Sequence, residues 1–333
     1  MIRFVIKSKF LNHRPVKYDI MRKILSHRIT KTPISLMIEP ICQCNLKCPL
    51  CTTPHKYMTR EKGMMTMETF FKLLEDTNRF VLEYDFDFAG EPFLHPKLFK
   101  MVRYASDRGI FTVVDTNATL ITDKRINEIL NSRLNVLAVN IDYANRTAFE
   151  QFRLGADFNK TINQLKKLCK QKKEQKIIFP FIIAEIIVSR ENEKDLMTIY
   201  DFAMNKVGVD AVFYKSICFP LHSEGFRKDN QIQELVERYL PIKDDVKKRY
   251  SYVNGNLELK NPAFECGWNK KSLILWDGNV SVCCYDYDGK NIFGNINENH
   301  FLDIWNSYRY RYSREKLIPQ KKLKLCERCA YSF

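Results

Sequence analysis

The stretch ISLMIEPICQCNLKCPLC, residues 34–51, is where the fold declares itself. Residues 34–40 form a short apolar run closed by Pro40, the length and composition of a buried strand. Directly behind it come Cys44, Cys48 and Cys51 in a C-x3-C-x2-C loop. Three sulfurs on a short irregular loop can converge on one face of a metal centre. A closed zinc site would need a fourth ligand nearby, and Cys42 or His55 could supply it.

Outward from that loop the chain alternates strand and helix. A helix is expected over 67–78, with Phe70, Leu73 and Leu74 on one face, then a strand at YDFDFAG, 84–90. The next helix, HPKLFKMVRYASDRG, has Pro96 near its start and Gly109 after its end. Strands at 110–115, 134–142, 177–188 and 210–215 are interleaved with helices at 122–132, 158–172 and 192–206. Six strand–helix units imply a parallel sheet with right-handed crossovers. Six fall short of the eight that close a barrel, so the fold class is α/β, a partial, open (β/α)6 TIM-like barrel. Loops after the strands' C-terminal ends carry the chemistry in such folds, so the cysteine loop and Gly90-Glu91-Pro92 share one mouth.

Past residue 225 the rhythm breaks. Residues 229–250 read as one helix interrupted at Pro241, and CGWNKKSLILWDGNVSVCCYDYDG as a hairpin turning at Asp277-Gly278. The expected organisation is a basic arm at 1–33, the barrel at 34–225, a helical connector at 226–261 and a small C-terminal domain at 262–333.

Composition sets the remaining bounds. The 333 residues include eleven cysteines, an odd number that argues against a disulfide framework and for reduced thiols used as ligands. No apolar run reaches the ~20 residues of a membrane span, and the N-terminus lacks a secretory cleavage pattern, so a cytoplasmic location is expected. The net charge is +15, and the first 33 residues hold nine Lys or Arg against Asp19 alone. That arm suits an acidic partner or is simply a solvated basic helix.

CNLKCPLC after one strand and AGEP after the next resemble the radical S-adenosylmethionine superfamily. The resemblance implies that Cys44, Cys48 and Cys51 hold a [4Fe–4S] cluster whose open iron chelates S-adenosylmethionine, and that Gly90, Glu91 and Pro92 form the segment meeting the methionine amino group. An aromatic residue is common before the third cysteine; this chain has Leu50. DTNATLIT resembles the family's Thr-Asn segment near the cofactor, which implicates Asn117. AVNIDYANRTAFEQFRLG resembles the segment contacting ribose and carboxylate, roles that fall on Asn140, where a Ser is common, and on Arg153.

The C-terminal cysteines resemble the SPASM module, an auxiliary iron–sulfur domain. Its full version has seven cysteines and two clusters. Here the resemblance implies one auxiliary [4Fe–4S] cluster on Cys266, Cys283, Cys326 and Cys329, with Cys284 as the alternative to Cys283. Of the remaining thiols, Cys169 falls on a helix's apolar stripe and Cys42 is read as a bystander. Cys218, just past the sixth strand, is either a buried inert thiol or a hydrogen donor of the kind radical epimerases use.

The implied reaction begins with a 5′-deoxyadenosyl radical that takes hydrogen from an unactivated carbon. The expected substrate is a ribosomally made peptide, epimerised or oxidatively cross-linked. The alternative is a sugar, aminocyclitol or glycan precursor that is dehydrogenated or epimerised. A flavodoxin or ferredoxin would serve as electron donor. A non-catalytic metalloprotein binding nucleic acid is the third reading, and it leaves Gly90-Glu91-Pro92 unexplained.

Overall fold

The computed structural model describes residues 5–6, 31–54, 57–221, 223–227, 232–246, 248–253, 256–260, 266–327 and 329. His55 and nearly all of the basic arm, including its helical reading, lie outside the described residues. The strands are β1 (Val5–Ile6), β2 (Ser35–Ile38), β3 (Glu83–Phe86), β4 (Phe111–Thr116), β5 (Val136–Asn140), β6 (Phe181–Val188), β7 (Ala211–Ser216), β8 (Tyr250–Val253), β9 (Asn256–Leu259), β10 (Lys271–Ile274), β11 (Asn279–Ser281) and β12 (Ile292–Asn295). β2 to β7 pair in parallel and in chain order, which bears out the open parallel barrel.

The crossovers are helical, and four of the helices start on a side-chain cap. Thr66, Thr122, Asn145 and Asp157 accept from backbone N–H groups of the first turn of α1 (Met67–Thr77), α3 (Asp123–Asn131), α4 (Arg146–Phe152) and α5 (Phe158–Glu174), satisfying donors that a helix end leaves unpaired. α2 (Leu98–Asp107) and α6 (Leu196–Asp201) complete the ring, the latter running on into a wider turn over Phe202–Val207. α4 was not expected from periodicity; at seven residues its apolar face is only Phe149 and Phe152, and the Asn145 cap was its one signal.

Alternation along the strands sends one set of side chains under the helices and the other into the barrel. Leu36, Ile38, Tyr84, Phe86, Val114, Leu137, Val139 and Ile186 are buried beneath the helices. At the strands' N-terminal ends Phe111, Val136, Phe181 and Ala211 pack into an apolar plug that closes the floor. Above it the inward set turns polar, and that upper layer is the base of the site.

The C-terminal hairpin turns where expected: Gly278 sits at φ 89°, a left-handed position that glycine adopts without strain. β10 pairs in parallel with β2, so β10, β11 and β12 extend the barrel's own sheet, while β1 pairs antiparallel with β7 at the other edge. The helix expected over 229–250 is corrected to α7, Ile232–Tyr239. Pro241 cannot donate, and the next N–H groups, of Ile242 and Lys243, go to Glu193 Oε2 at 2.9 and 3.0 Å instead of to helix carbonyls. The chain then forms the β8–β9 ribbon. No helix among the described residues is long and apolar enough to cross a membrane.

Candidate active site

A cavity of about 220 Å³ opens at the C-terminal ends of the barrel strands. Cys44, Cys48 and Cys51 border it together with Gly90, Glu91, Asn117, Asn140 and Arg153. Residues expected from four separate loops thus meet in one place. Pro92 does not line the cavity; buried, it opens the short helical turn Pro92–Leu94 behind it.

Gly90 sets how closely the second loop approaches the first. A Cβ there would stand 2.0 Å from the Ile41 carbonyl oxygen and 2.9 Å from that of Gln43, and Glu91 N donates to the same Gln43 oxygen at 2.7 Å. The Glu91 side chain is fully buried and works as a bracket: it accepts from Thr116 Oγ1 at 2.6 Å, Asn117 N at 2.8 Å and Phe93 N at 3.0 Å. Burial pushes its carboxyl up to about 7 against these bonds, which favour the charged form. Asn117 in turn donates from Nδ2 to Asn45 Oδ1 at 3.0 Å and lies 3.8 Å from Cys44 Sγ.

Arg153 stands on the opposite wall. Its Nε donates to Asp142 Oδ2 at 2.8 Å, Nη2 pairs with the same oxygen at 2.7 Å, and Nη1 reaches to 4.0 Å from Cys48 Sγ. Burial alone would lower its pKa, and the Asp142 and Cys48 charges outweigh that and hold it up. Arg153→Gln would leave Asp142 fully buried without its cation. The expected cost is about 3–5 kcal/mol, read as a lowered urea midpoint.

The three thiols suit a cluster's donor set. Burial pushes the Cys44 thiol up to about 12 and raises Cys51 as well, so thiolates here need cationic partners. Cys44, Cys48 and Cys51 border the cavity as a set of three thiols, one short of the four that fully ligate a [4Fe–4S] cluster, which leaves one iron free to bind a cofactor. Cys42 is turned away: it is fully buried, with Sγ 3.9 Å from Met58 Sδ.

Sequence reasoning missed the cavity's base. Asp87, one residue past β3, lines it with Asp115, Glu185 and Lys215 from β4, β6 and β7. Lys215 Nζ lies 3.2 Å from Asp115 Oδ2 and pairs also with Glu185 Oε2. Burial, with Asp115 second, pushes Glu185 up to about 8, and burial likewise raises Asp87. Inward alternation at strand ends was the available signal.

The C-terminal thiols gather apart from this cavity. Cys283 is buried, and after burial the charges of Cys284, Cys326 and Cys329 raise it further; Cys266 acts likewise on Cys326. Cys284 instead senses Cys329 and Cys218. Cys218 does not border the cavity among the lining residues; its Sγ sits 3.0 Å from Tyr285 Oη and 3.5 Å from Tyr250 Oη, against the C-terminal core. Cys169 is buried in the main core, as its place on the α5 stripe implied.

Comparison with known proteins agrees with this layout. The model of the Radical SAM superfamily matches residues 38–203, and that of an iron–sulfur cluster-binding domain, SPASM, matches 266–330. The chain is 30% identical over 305 residues to the tungsten-containing aldehyde ferredoxin oxidoreductase cofactor-modifying protein of Pyrococcus furiosus, spanning 84% of this chain and 82% of that protein. It is 31% identical over 103 residues to the PqqA peptide cyclase of Bradyrhizobium diazoefficiens, 31% of this chain and 27% of that one. The crystal structure of Streptococcus suis SuiB bound to precursor peptide SuiA shares the fold with a TM-score of 0.62 and 15% identity, over 89% of this chain and 69% of SuiB. These matches assign S-adenosylmethionine and a [4Fe–4S] cluster to the barrel and an auxiliary iron–sulfur cluster to the C-terminal module.

Proposed function

The chain belongs to the radical S-adenosylmethionine superfamily, and from that membership we propose that it modifies a ribosomally made peptide at an unactivated C–H bond, by epimerisation or oxidative cross-linking. The observation that carries the reading is the single cavity bordered by Cys44, Cys48, Cys51, Gly90, Asn117 and Arg153. Bound there, the cluster and S-adenosylmethionine supply a 5′-deoxyadenosyl radical able to take that hydrogen. The peptide assignment draws on the C-terminal module and on the names of the cyclase relative and of SuiB with its precursor peptide.

In this reading Cys44, Cys48 and Cys51 ligate the catalytic cluster. Gly90 and Glu91 keep the second loop pressed against the first, so that its backbone meets the methionine amino group. Arg153, oriented by Asp142, offers a permanent charge to a carboxylate, and Asn140 and Asn117 hold the nucleoside side. Cys266, Cys283, Cys326 and Cys329 ligate the auxiliary cluster, with Cys284, which senses Cys329 ahead of Cys218, as the alternative to Cys283. Cys218 would serve as hydrogen donor only to a substrate arriving from the C-terminal side.

The second reading, a polar small molecule such as a sugar, aminocyclitol or glycan precursor, is favoured by the charged base of the cavity. Three carboxylates around Lys215 suit a substrate rich in hydroxyl or amine donors. The Pyrococcus relative, named for modifying a cofactor, adds support for a small substrate.

The test is anaerobic turnover in D2O with dithionite and S-adenosylmethionine, offering peptides encoded beside the gene and, separately, glycan precursors. The peptide reading expects either loss of two hydrogens or uptake of one deuterium by a peptide. Conversion of a glycan precursor alone would transfer the assignment to the second reading. In the same assay Lys215→Met is expected to leave 5′-deoxyadenosine release within about threefold while product falls about 100-fold, an orientation effect. Equal loss of both would place Lys215 with the cofactor instead.

A further inference from the structure

The C-terminal segment from Tyr308 to Glu327 carries seven Lys or Arg against Glu315 and Glu327, and it leads straight into Cys326. α8 (Phe301–Asn306) leads into its helical start, α9 (Tyr308–Tyr312), and the pair is pinned from inside. Arg314 is 1% exposed, with its guanidinium 3.5 Å above the Trp305 ring and Nη2 donating to Trp305 O at 2.7 Å. Arg309 lies over Phe293 at 5.1 Å.

The outer face is different. Tyr308 and Tyr312, four residues apart, stack at 6.0 Å and 16° while remaining 76% and 46% exposed. Arg311 and Lys316 fall on the same helical face and are exposed. A turn closes the helical stretch, Lys322 N donating to Leu317 O at 2.8 Å, and Lys322 and Lys324 beyond it are also exposed. Basic residues near a helix C-terminus answer its dipole, and that accounts for their sign. It does not account for two stacked tyrosines left in water, since Tyr and Arg together are what protein interfaces enrich.

We infer that this face, Tyr308–Arg311–Tyr312–Lys316 running to Lys322 and Lys324, docks an acidic one-electron donor protein that delivers its electron through the auxiliary cluster. The inference rests on Cys266, Cys283, Cys326 and Cys329 being that cluster's ligands. Three features choose this occupant. The charge is complementary to an acidic carrier, the exposed rings give a small apolar centre, and the same segment continues in sequence to Cys326. One electron moves from the reduced donor to the cluster, with no bond made or broken. None of these residues lines the barrel cavity.

The experiment uses the reconstituted full chain, with photoreduced flavodoxin as probe and dithionite as control, following cluster bleaching by stopped flow. For the wild type the flavodoxin rate constant should fall as salt rises. Arg311→Glu/Lys316→Glu should cut it about 10-fold or more at low salt, with iron content and the dithionite rate unchanged. Tyr308→Ser, a milder change at an exposed ring, should cut it about threefold through lost contact. An unchanged flavodoxin rate in these variants overturns the inference, as does loss of binding to an RNA oligonucleotide with the flavodoxin rate intact. Failure of the underlying reading is separate: iron content would then be insensitive to Cys326→Ala.

Discussion

Replacing Cys44, Cys48 and Cys51 together by alanine is expected to lower the iron content from about eight atoms per chain to about four. The S-adenosylmethionine-induced change in the EPR spectrum should vanish with it, and 5′-deoxyadenosine formation should fall to background. The size of the effect follows from the separation of the two thiol sets. The three loop cysteines border the barrel cavity, whereas Cys266, Cys283, Cys326 and Cys329 belong to a different part of the chain, with Cys283 packed in its own small core. Losing one set therefore leaves the other's ligands in place. Alanine removes a buried thiol without introducing a polar group, so the fold around Leu46 and Cys42, both buried, should hold. The measurement is iron, sulfide and zinc per chain after anaerobic purification, with EPR of the reduced protein. Zinc in place of iron, or iron unchanged in the triple variant, would sink the assignment of the loop to the catalytic cluster.

The parts of this molecule that could be read in advance are those written locally. A strand, a C-x3-C-x2-C loop and a helix cap each lie within a few residues, and the six parallel strands follow from apolar runs at regular spacing. What escaped was written across distance. Asp142 became the partner of Arg153 only when the α4 turn brought them to 2.7 Å. Glu91 was legible as a motif residue, but its bracket runs to Thr116 at the end of the next strand and to Asn117 just beyond it. Asp87, Asp115, Glu185 and Lys215 each look like an ordinary strand-end charge, because alternation tells which residues share a face but not whether that face is water or barrel. Residues 229–250 misled for the opposite reason. Their charges keep helical spacing on both sides of Pro241, yet tertiary acceptors on Glu193 claim the very N–H groups a second helix would have needed.

Gly90→Ala is expected to be the most damaging single-methyl change in the barrel. The added Cβ would lie 2.0 Å from the Ile41 carbonyl oxygen, a backbone atom that no rotamer change can move aside. Ile41 is itself tied down: it bridges to Met64, and the neighbouring Cys42 N donates to Gly63 O at 2.8 Å. Relief must come from backing the Gly90-Glu91 turn away from the cysteine loop, which lengthens the 2.7 Å bond from Glu91 N to Gln43 O and disturbs the Glu91 bracket. Overpacking of this kind costs about 3 kcal/mol or more, read as a lowered urea midpoint. A shift of about 1 Å between the two loops should also reduce 5′-deoxyadenosine formation about 100-fold, even in molecules that retain iron. Gly267→Ala is the control: a Cβ there meets nothing within 4 Å, so stability should stay within about 0.5 kcal/mol. If Gly90→Ala matched the wild type in midpoint and turnover, the close approach of the two loops would not be what shapes the site, and the role given to Gly90 would fall with it.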